Sequence, residues 1–292
     1  MQEFSVLMSV YKNDIAENVI TAVKSIIEQT VRPSQVVIVV DGPIPEDSMQ
    51  ALNGLREEYK DLIELYPLEQ NVGLGNALKE GMQYCKYELI ARMDSDDIAV
   101  KDRFEKQLAL LEKNPDISIV GSDIAEFIGD IDNVVSVRDV PAEHKDICEY
   151  LKKRCPFNHM TVMFKKSKVE KAGGYLHWFY NEDSYLWARM YLAGCKFANI
   201  KENLVYARIN EATFSRRGGK KYYISERDLF KFMLNNKIIT KGEYRKCCFM
   251  RYVIQVLMPN RLRKFVFIKL MRQKPDKSNA NNRNNSDNRE VV

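Results

Sequence analysis

The densest chemistry in the sequence is ARMDSDD, Ala91 to Asp97, where Asp94, Asp96 and Asp97 place three carboxylates within four residues. At the end of a buried strand such groups repel one another unless a cation sits between them. A hard divalent ion held through one or two carboxylates and the phosphates of a substrate resolves that repulsion. Mg²⁺ or Mn²⁺ bridging a diphosphate would also offset the charge that develops on a leaving phosphate. The same residues have a plainer reading, an acidic turn ahead of a helix beginning near residue 101. A second acidic pair, Glu182 and Asp183, opens a helical run in NEDSYLWARM, where acidic side chains often serve only the helix dipole.

Elements that could position these groups are legible upstream. Short β-branched runs alternate with segments of helical period over the first 130 residues, the pattern of a mostly parallel sheet covered by helices. Strands are expected at Phe4 to Ser9, at Val36 to Val40, more weakly at Leu62 to Leu68, and at Tyr87 to Met93. Val19, Val23, Ile26 and Ile27 mark one helix face, Leu74, Ala77, Leu78, Gly81 and Met82 another, and Phe104, Leu108 and Leu111 a third. A strand at Ile117 to Val120 follows, then loops and short elements to residue 180, then a helix from Tyr185 to Ala193.

Open parallel sheets bind ligands at the carboxyl ends of their strands. Four such ends are polar here: Tyr11 to Asp14, Asp41 and Gly42, Asn71 to Gly75, and Asp94 to Asp97. Any one could be an ordinary turn; their convergence on one edge points to a site. NVGLGN, Asn71 to Asn76, is not a dinucleotide fingerprint, because position 78 is leucine and the segment follows strand three rather than strand one. GxxxxGK[ST] and HExxH are both missing, which sets aside P-loop and zincin chemistry.

SVLMSVYKND, VVDG, NVGLGNALKEG, ARMDSDD and NEDSYLWARM, in this order and spacing, resemble family 2 glycosyltransferases of the GT-A fold, especially those building bacterial surface polysaccharides. The resemblance covers about residues 3 to 210. It implies that Tyr11 and Asp41 lie on the nucleobase, that Arg92 and Asp94 help hold the nucleotide, and that Asp96 of this DxD arrangement reaches the metal. Asp97 fits a supporting role. Glu182 and Asp183 look like the family's ED motif, with Asp183 taking the acceptor hydroxyl's proton and Glu182 raising its pKa or positioning the acceptor. His159 reads either as a satisfied core residue or as an acceptor contact. Arg208, Arg216, Arg217, Lys220 and Lys221 could close over the diphosphate as a lid, although a solvated loop is the simpler reading.

The expected fold class is therefore α/β: a GT-A domain over 1–215, a lid and basic amphipathic helical region over 216–275, and a disordered, Asn-dominated tail over 276–292. The expected function is inverting transfer of a hexose or N-acetylhexosamine from a UDP-sugar to a lipid-linked saccharide. Two alternatives remain, a non-catalytic nucleotide-sugar-binding scaffold and a sugar-phosphate nucleotidyltransferase; the latter needs a glycine-rich basic loop after strand one, where YKND stands instead.

Net charge is +5, yet residues 241 to 275 alone carry +9 and residues 1 to 240 carry −4, so a basic nucleic-acid surface on the body is not indicated. Phe249, Tyr252, Val253, Val256 and Leu257 fall at helical spacing, and RLRKFVFIKLMRQK, Arg261 to Lys274, interleaves apolar residues with cations. That composition fits a helix in the interface of an anionic membrane; a helix packed on the catalytic domain is the other reading. The opening MQEFSVLMSVYKND predicts no signal peptide, and no apolar run is long enough to span a bilayer, so a cytoplasmic, peripherally membrane-associated protein is expected. The six cysteines show no metal or disulfide spacing and are expected as free thiols.

Overall fold

The computed structural model describes residues 2–210, 218–259 and 262–263. The expected disordered tail, most of the second basic stretch, and Arg216 and Arg217 lie outside the described residues.

Strands β1 (Phe4–Val10), β2 (Gln35–Val40), β3 (Ile63–Pro67) and β4 (Leu89–Arg92) pair in parallel in the order β3-β2-β1-β4. Their apolar runs are buried because helices cover both faces. Helices α1 (Ala16–Ile27), α2 (Glu46–Glu58) and α4 (Arg103–Lys113) pack on one face, and α3 (Leu74–Tyr84) on the other. The sheet continues through β8 (Met163–Lys165), antiparallel to both β4 and β6 (Ile117–Phe127), and then β9 (Lys196–Arg208), parallel to β6. A two-residue β5 (Ile98–Ala99) pairs with β9, and β7 (Val134–Arg138) with β6. This is the expected α/β class, with its first four strands parallel.

Residues 130 to 180 hold short elements as expected, including α5 (His144–Leu151), a 3₁₀ turn (His159–Thr161) and α6 (Lys166–Lys171). Helix α7 begins at Glu182, three residues before the expected start, and ends at Leu192. The long β9 had no clear signal, because charged residues in IKENL interrupt its apolar pattern.

Helix α8 (Lys220–Asn235) buries Leu229, Phe230 and Met233 in the core that also holds Trp187 of α7. The region after residue 219 thus joins an existing core. Helix α9 (Lys241–Tyr252) starts on a reciprocal cap: Glu243 N donates to Thr240 Oγ1, and Thr240 N to Glu243 Oε2. It runs into a π-helical turn (Val253–Leu257). One side of α9 packs through Tyr244, Cys247 and Cys248, and Tyr252 lies edge-on to Tyr223, while Phe249, 70% exposed, and Met250 face outward. All six cysteines are free, and no helix among the described residues is long and apolar enough to cross a membrane.

Candidate active site

Strand β4 carries the carboxylate loop into the middle of the sheet. Leu7 and Arg92 are register partners on β1 and β4, and Met93 N still donates to Leu7 O at 3.2 Å. Beyond that point the chain leaves β4 and reaches β5 on the far side of β9, so Asp94 to Asp97 bridges two parts of the sheet.

Cations and backbone donors hold this loop from several sides. Arg92, 1% exposed, is ion-paired with Asp94. Arg92 O accepts from Arg103 Nη2 at 2.7 Å, and Arg103 is fully buried, with burial pulling its guanidinium down to about 9. Asp97 Oδ1 accepts from Arg208 N at 2.8 Å, and Arg208 Nε donates to Asp96 O at 3.1 Å. The Arg208 side chain also reaches Gly129 O and lies over the Phe127 ring. Arg208 is therefore a brace beneath the loop and does not sit in a solvated loop, the simpler reading of its sequence. Lys220 and Lys221 open α8, with the Lys221 ammonium 4.3 Å from the Phe179 ring centroid, and so do not belong to a solvated loop.

Asp14 links the first strand's loop to the carboxylates. Its Oδ2 accepts from Tyr11 N at 2.9 Å and from Ser95 Oγ at 2.7 Å. Sequence reading placed Asp14 on the right edge but gave it no role, although a carboxylate three residues after Tyr11 is a turn-forming signal. Asp41, 3% exposed, pins the third loop: Oδ1 accepts from Val72 N at 2.7 Å, and Oδ2 from Asn71 Nδ2 and Gly73 N. Gly42 makes this approach possible, since its φ is +81° and a Cβ there would lie 2.4 Å from Asn71 N. Tyr11 is partly exposed beside these loops, so Tyr11 and Asp41 share the edge expected to meet a nucleobase.

The same loops lead to α7. A Cβ on Gly75 would come within 3.1 Å of Glu182 Cβ, so glycine lets the α3 N-terminus approach α7 without pushing Glu182 aside. Burial, and then the charge of Asp183, pushes Glu182 up to about 7; Arg92 and Asp94 also act on it. Asp183 turns the other way. Its Oδ2 accepts from Cys155 Sγ at 3.2 Å, and its Oδ1 from Ser184 N at 2.6 Å. The Cys155 contact had no sequence signal. His159 lies behind, with Nε2 2.8 Å from Tyr175 Oη and its ring edge-on to Trp187. Burial and the Arg92 charge hold it well below the usual histidine range, which makes it a neutral core residue.

The carboxylate loop suits a divalent ion shared with phosphates. Burial, then Asp94 and Asp14, raises Asp96 to about 6, and burial, then Asp96 and Asp94, raises Asp97 well above its usual value. Asp94 is balanced by Arg92 and Asp97 by a backbone donor, while Asp97 Oδ2 and Arg92 Nε and Nη1 are buried without a partner. A cation would relieve the first set, and phosphate oxygens would satisfy the guanidinium. Among the described residues no three His, Cys, Asp or Glu side chains converge as a protein-only cage.

Comparison with known proteins agrees with this architecture. The family model described as "Glycosyl transferase family 2" matches residues 5–169. A UDP-Gal:alpha-D-GlcNAc-diphosphoundecaprenol beta-1,3-galactosyltransferase of Escherichia coli is 34% identical over 93% of this chain and 97% of its own. The amylovoran biosynthesis glycosyltransferase AmsE of Erwinia amylovora is 36% identical over 79% of this chain and 85% of its own. Staphylococcus aureus TarS 1-349 with UDP-GlcNAc superposes with a TM-score of 0.62 at 16% identity, covering 86% of this chain and 73% of that one. The mannosyltransferase PcManGT of Pyrobaculum calidifontis, with GDP-Man and Mn²⁺, superposes at 0.61 and 15% identity, covering 88% and 71%. Those two structures share the GT-A fold of this chain. With the family model spanning more than half of the sequence and relatives of this similarity aligned along most of it, the chain belongs to glycosyltransferase family 2.

Proposed function

We propose that this protein is an inverting, metal-dependent transferase that moves a hexose or N-acetylhexosamine from a UDP-sugar to a lipid-linked saccharide in surface polysaccharide assembly. The observation that carries the reading is the shared neighbourhood of Arg92–Asp94 at the end of β4 and Glu182–Asp183 at the start of α7, read as a nucleotide end and an acceptor end. The similarity to an enzyme named for UDP-Gal and GlcNAc-diphosphoundecaprenol supports the donor and acceptor classes.

In this mechanism Tyr11 and Asp41 bound the nucleobase, and Arg92 donates to the donor phosphates. Asp96 would hold Mg²⁺ or Mn²⁺, which when bound neutralises charge on the departing diphosphate. The acceptor hydroxyl attacks the anomeric carbon as the bond to the diphosphate oxygen breaks, and Asp183 takes the hydroxyl proton. The second product is the nucleoside diphosphate. Glu182 stands between base and donor and positions the sugar.

The exposed apolar residues of α9 and the basic C-terminal sequence support attachment to an anionic membrane. Each cation near such a surface contributes about 1 kcal/mol. Pelleting with anionic liposomes at low salt and release at high salt are expected; a full-length protein that ignores these liposomes at low salt removes the membrane from the scheme.

The central experiment screens UDP-sugars against a synthetic saccharide-diphosphate-lipid by mass spectrometry. A product heavier by one hexose or N-acetylhexosamine is expected. Sugar-nucleotide binding without product would favour a scaffold, and formation of UDP-sugar from UTP and a sugar phosphate would favour a nucleotidyltransferase.

A further inference from the structure

Glu182 and Asp183 are the first two residues of α7, on a turn whose N–H groups have no carbonyl of the helix to donate to. A helix end left to itself frays. Asn181, the residue before them, is of a type that steadies such a turn by accepting from one of those N–H groups. Its side chain makes no cap bond, so the pair is not held in the usual way.

What holds it is α8. Asn181, 5% exposed, donates through Nδ2 to Ser225 Oγ at 3.0 Å, and Ser225 Oγ in turn donates to Phe179 O at 2.6 Å. Ser225 O accepts from Trp178 Nε1 at 3.2 Å. One residue of α8, 7% exposed, therefore meets Trp178, Phe179 and Asn181 on the approach to α7. Neighbouring contacts run the same way. Lys221, one turn earlier on α8, lies over the Phe179 ring, and the Tyr185 ring of α7 is 4.4 Å from that of Trp178 and 4.9 Å from that of Phe232.

Tyr180, the remaining residue of the approach, shows that this fastening bends the chain. Its φ is +57°, a left-handed conformation that a bulky side chain avoids. Such strain persists only where surrounding contacts over-determine it, and here they converge on Ser225. Released from Ser225, the backbone at Tyr180 would relax and turn the start of α7 with it.

We propose that Ser225 is a positioning residue for the transfer, which fixes through Phe179 and Asn181 the directions in which Glu182 and Asp183 leave α7. Its buried hydroxyl is taken up by those two residues, so it acts through them and not on the substrates. The proposal rests on the transferase reading above. It adds that the acidic pair is aimed by a helix beyond residues 5–169, the span matched by the family model.

Kinetics on the full chain test this, with the UDP-sugar and the synthetic saccharide-diphosphate-lipid that give product in the screen above. Ser225→Ala removes the hydroxyl and keeps a good helix former. Its turnover should fall roughly ten- to a hundredfold, the scale of a misplacement by about an ångström, while UDP affinity stays at the wild-type value. Asn181→Ser supplies a preferred cap on a shorter side chain and gives up Ser225. Its turnover should fall as far although its thermal midpoint stays near that of wild type, which keeps the test decisive if Ser225→Ala does not fold. Both substitutions break one contact, so the double variant should be no slower than the slower single one. Hydrogen exchange over residues 179–184 should also quicken about tenfold in Ser225→Ala, a readout that needs no turnover. The proposal is overturned if Ser225→Ala transfers sugar as wild type does, if its exchange is unchanged, if UDP affinity falls in parallel with turnover, or if the two losses multiply in the double variant. A wild type that forms no product from any UDP-sugar overturns the transferase reading instead, and faster exchange in Ser225→Ala then still upholds the hold of Ser225 on the pair.

Discussion

The two acidic clusters differ in how the fold treats their charge. At the β4 end, Arg92 pairs with Asp94, the backbone of Arg208 reaches Asp97, and Arg103 braces the strand from below. Neither Asp96 nor Asp97 has a cationic side chain paired to it among these contacts. At the α7 end the partners are a thiol and a backbone N–H on Asp183, and Glu182 is held near neutrality by burial. The first cluster is built as a rigid frame for an ion and phosphates. In the second, burial raises Glu182 while Asp183 turns to Cys155, and the contrast predicts different failures when each is damaged.

The largest effect should follow Asp96→Asn, because Asp96 is the carboxylate expected to meet the ion. Turnover is predicted to fall roughly a thousandfold or more, with the fold retained, since removing a buried charge relieves repulsion from Asp94 and Asp14. Steady-state rates across a Mg²⁺ and Mn²⁺ titration check this, and full activity in excess EDTA would break the metal half of the comparison.

Asp183→Asn should lower turnover by roughly a hundred- to ten-thousandfold while leaving UDP-sugar affinity within error of wild type. Its side chain accepts from Cys155 and Ser184, not from the nucleotide loops. If donor affinity collapsed with turnover, the two clusters would not divide donor from acceptor work.

Asp41→Asn tests the frame away from the chemistry. The carboxylate accepts from Val72 N, Gly73 N and Asn71 Nδ2, and an amide would present a donor to one of these donors. A loss of about 2 kcal/mol in denaturant stability is expected, together with weaker UDP binding. Unchanged UDP binding would show that the Asn71–Gly73 loop does not border the nucleotide.

The frame was largely legible in the sequence, and the acceptor side was not. Strand ends after β1, β2 and β4 could be located because buried parallel strands read as apolar runs, and the polar residues ending them had to meet at one edge. Glu182 and Asp183 were visible only as the opening of a helix, and their assignment rested on resemblance. That they face opposite ways depends on the rotation of α7 against Gly75 and Cys155, which involves contacts 107 and 28 residues away in sequence. Nothing local marks such contacts. The place of Arg208 was hidden for the same reason: its sequence neighbourhood suits a solvated loop until β9 places it under Asp96.

The smallest expected effect is the most specific to the α7 cluster. Burial, and then Asp183, raises Glu182 from 4.5 to about 7, so the folded protein holds this proton more tightly than the unfolded chain does. Stability linked to a raised acid is fully present below the unfolded pKa and is lost as pH rises through the folded one. Wild type should therefore lose stability between about pH 4.5 and pH 7 on account of this residue. Glu182→Gln keeps the neutral shape at every pH and escapes that loss. Without nucleotide or metal, the variant should match wild type near pH 5 and exceed it near pH 8 by on the order of 2 kcal/mol, a figure reduced for partial exposure. Denaturant midpoints at the two pH values measure the difference. If the two proteins stay parallel across this range, Glu182 is solvated like an ordinary surface carboxylate.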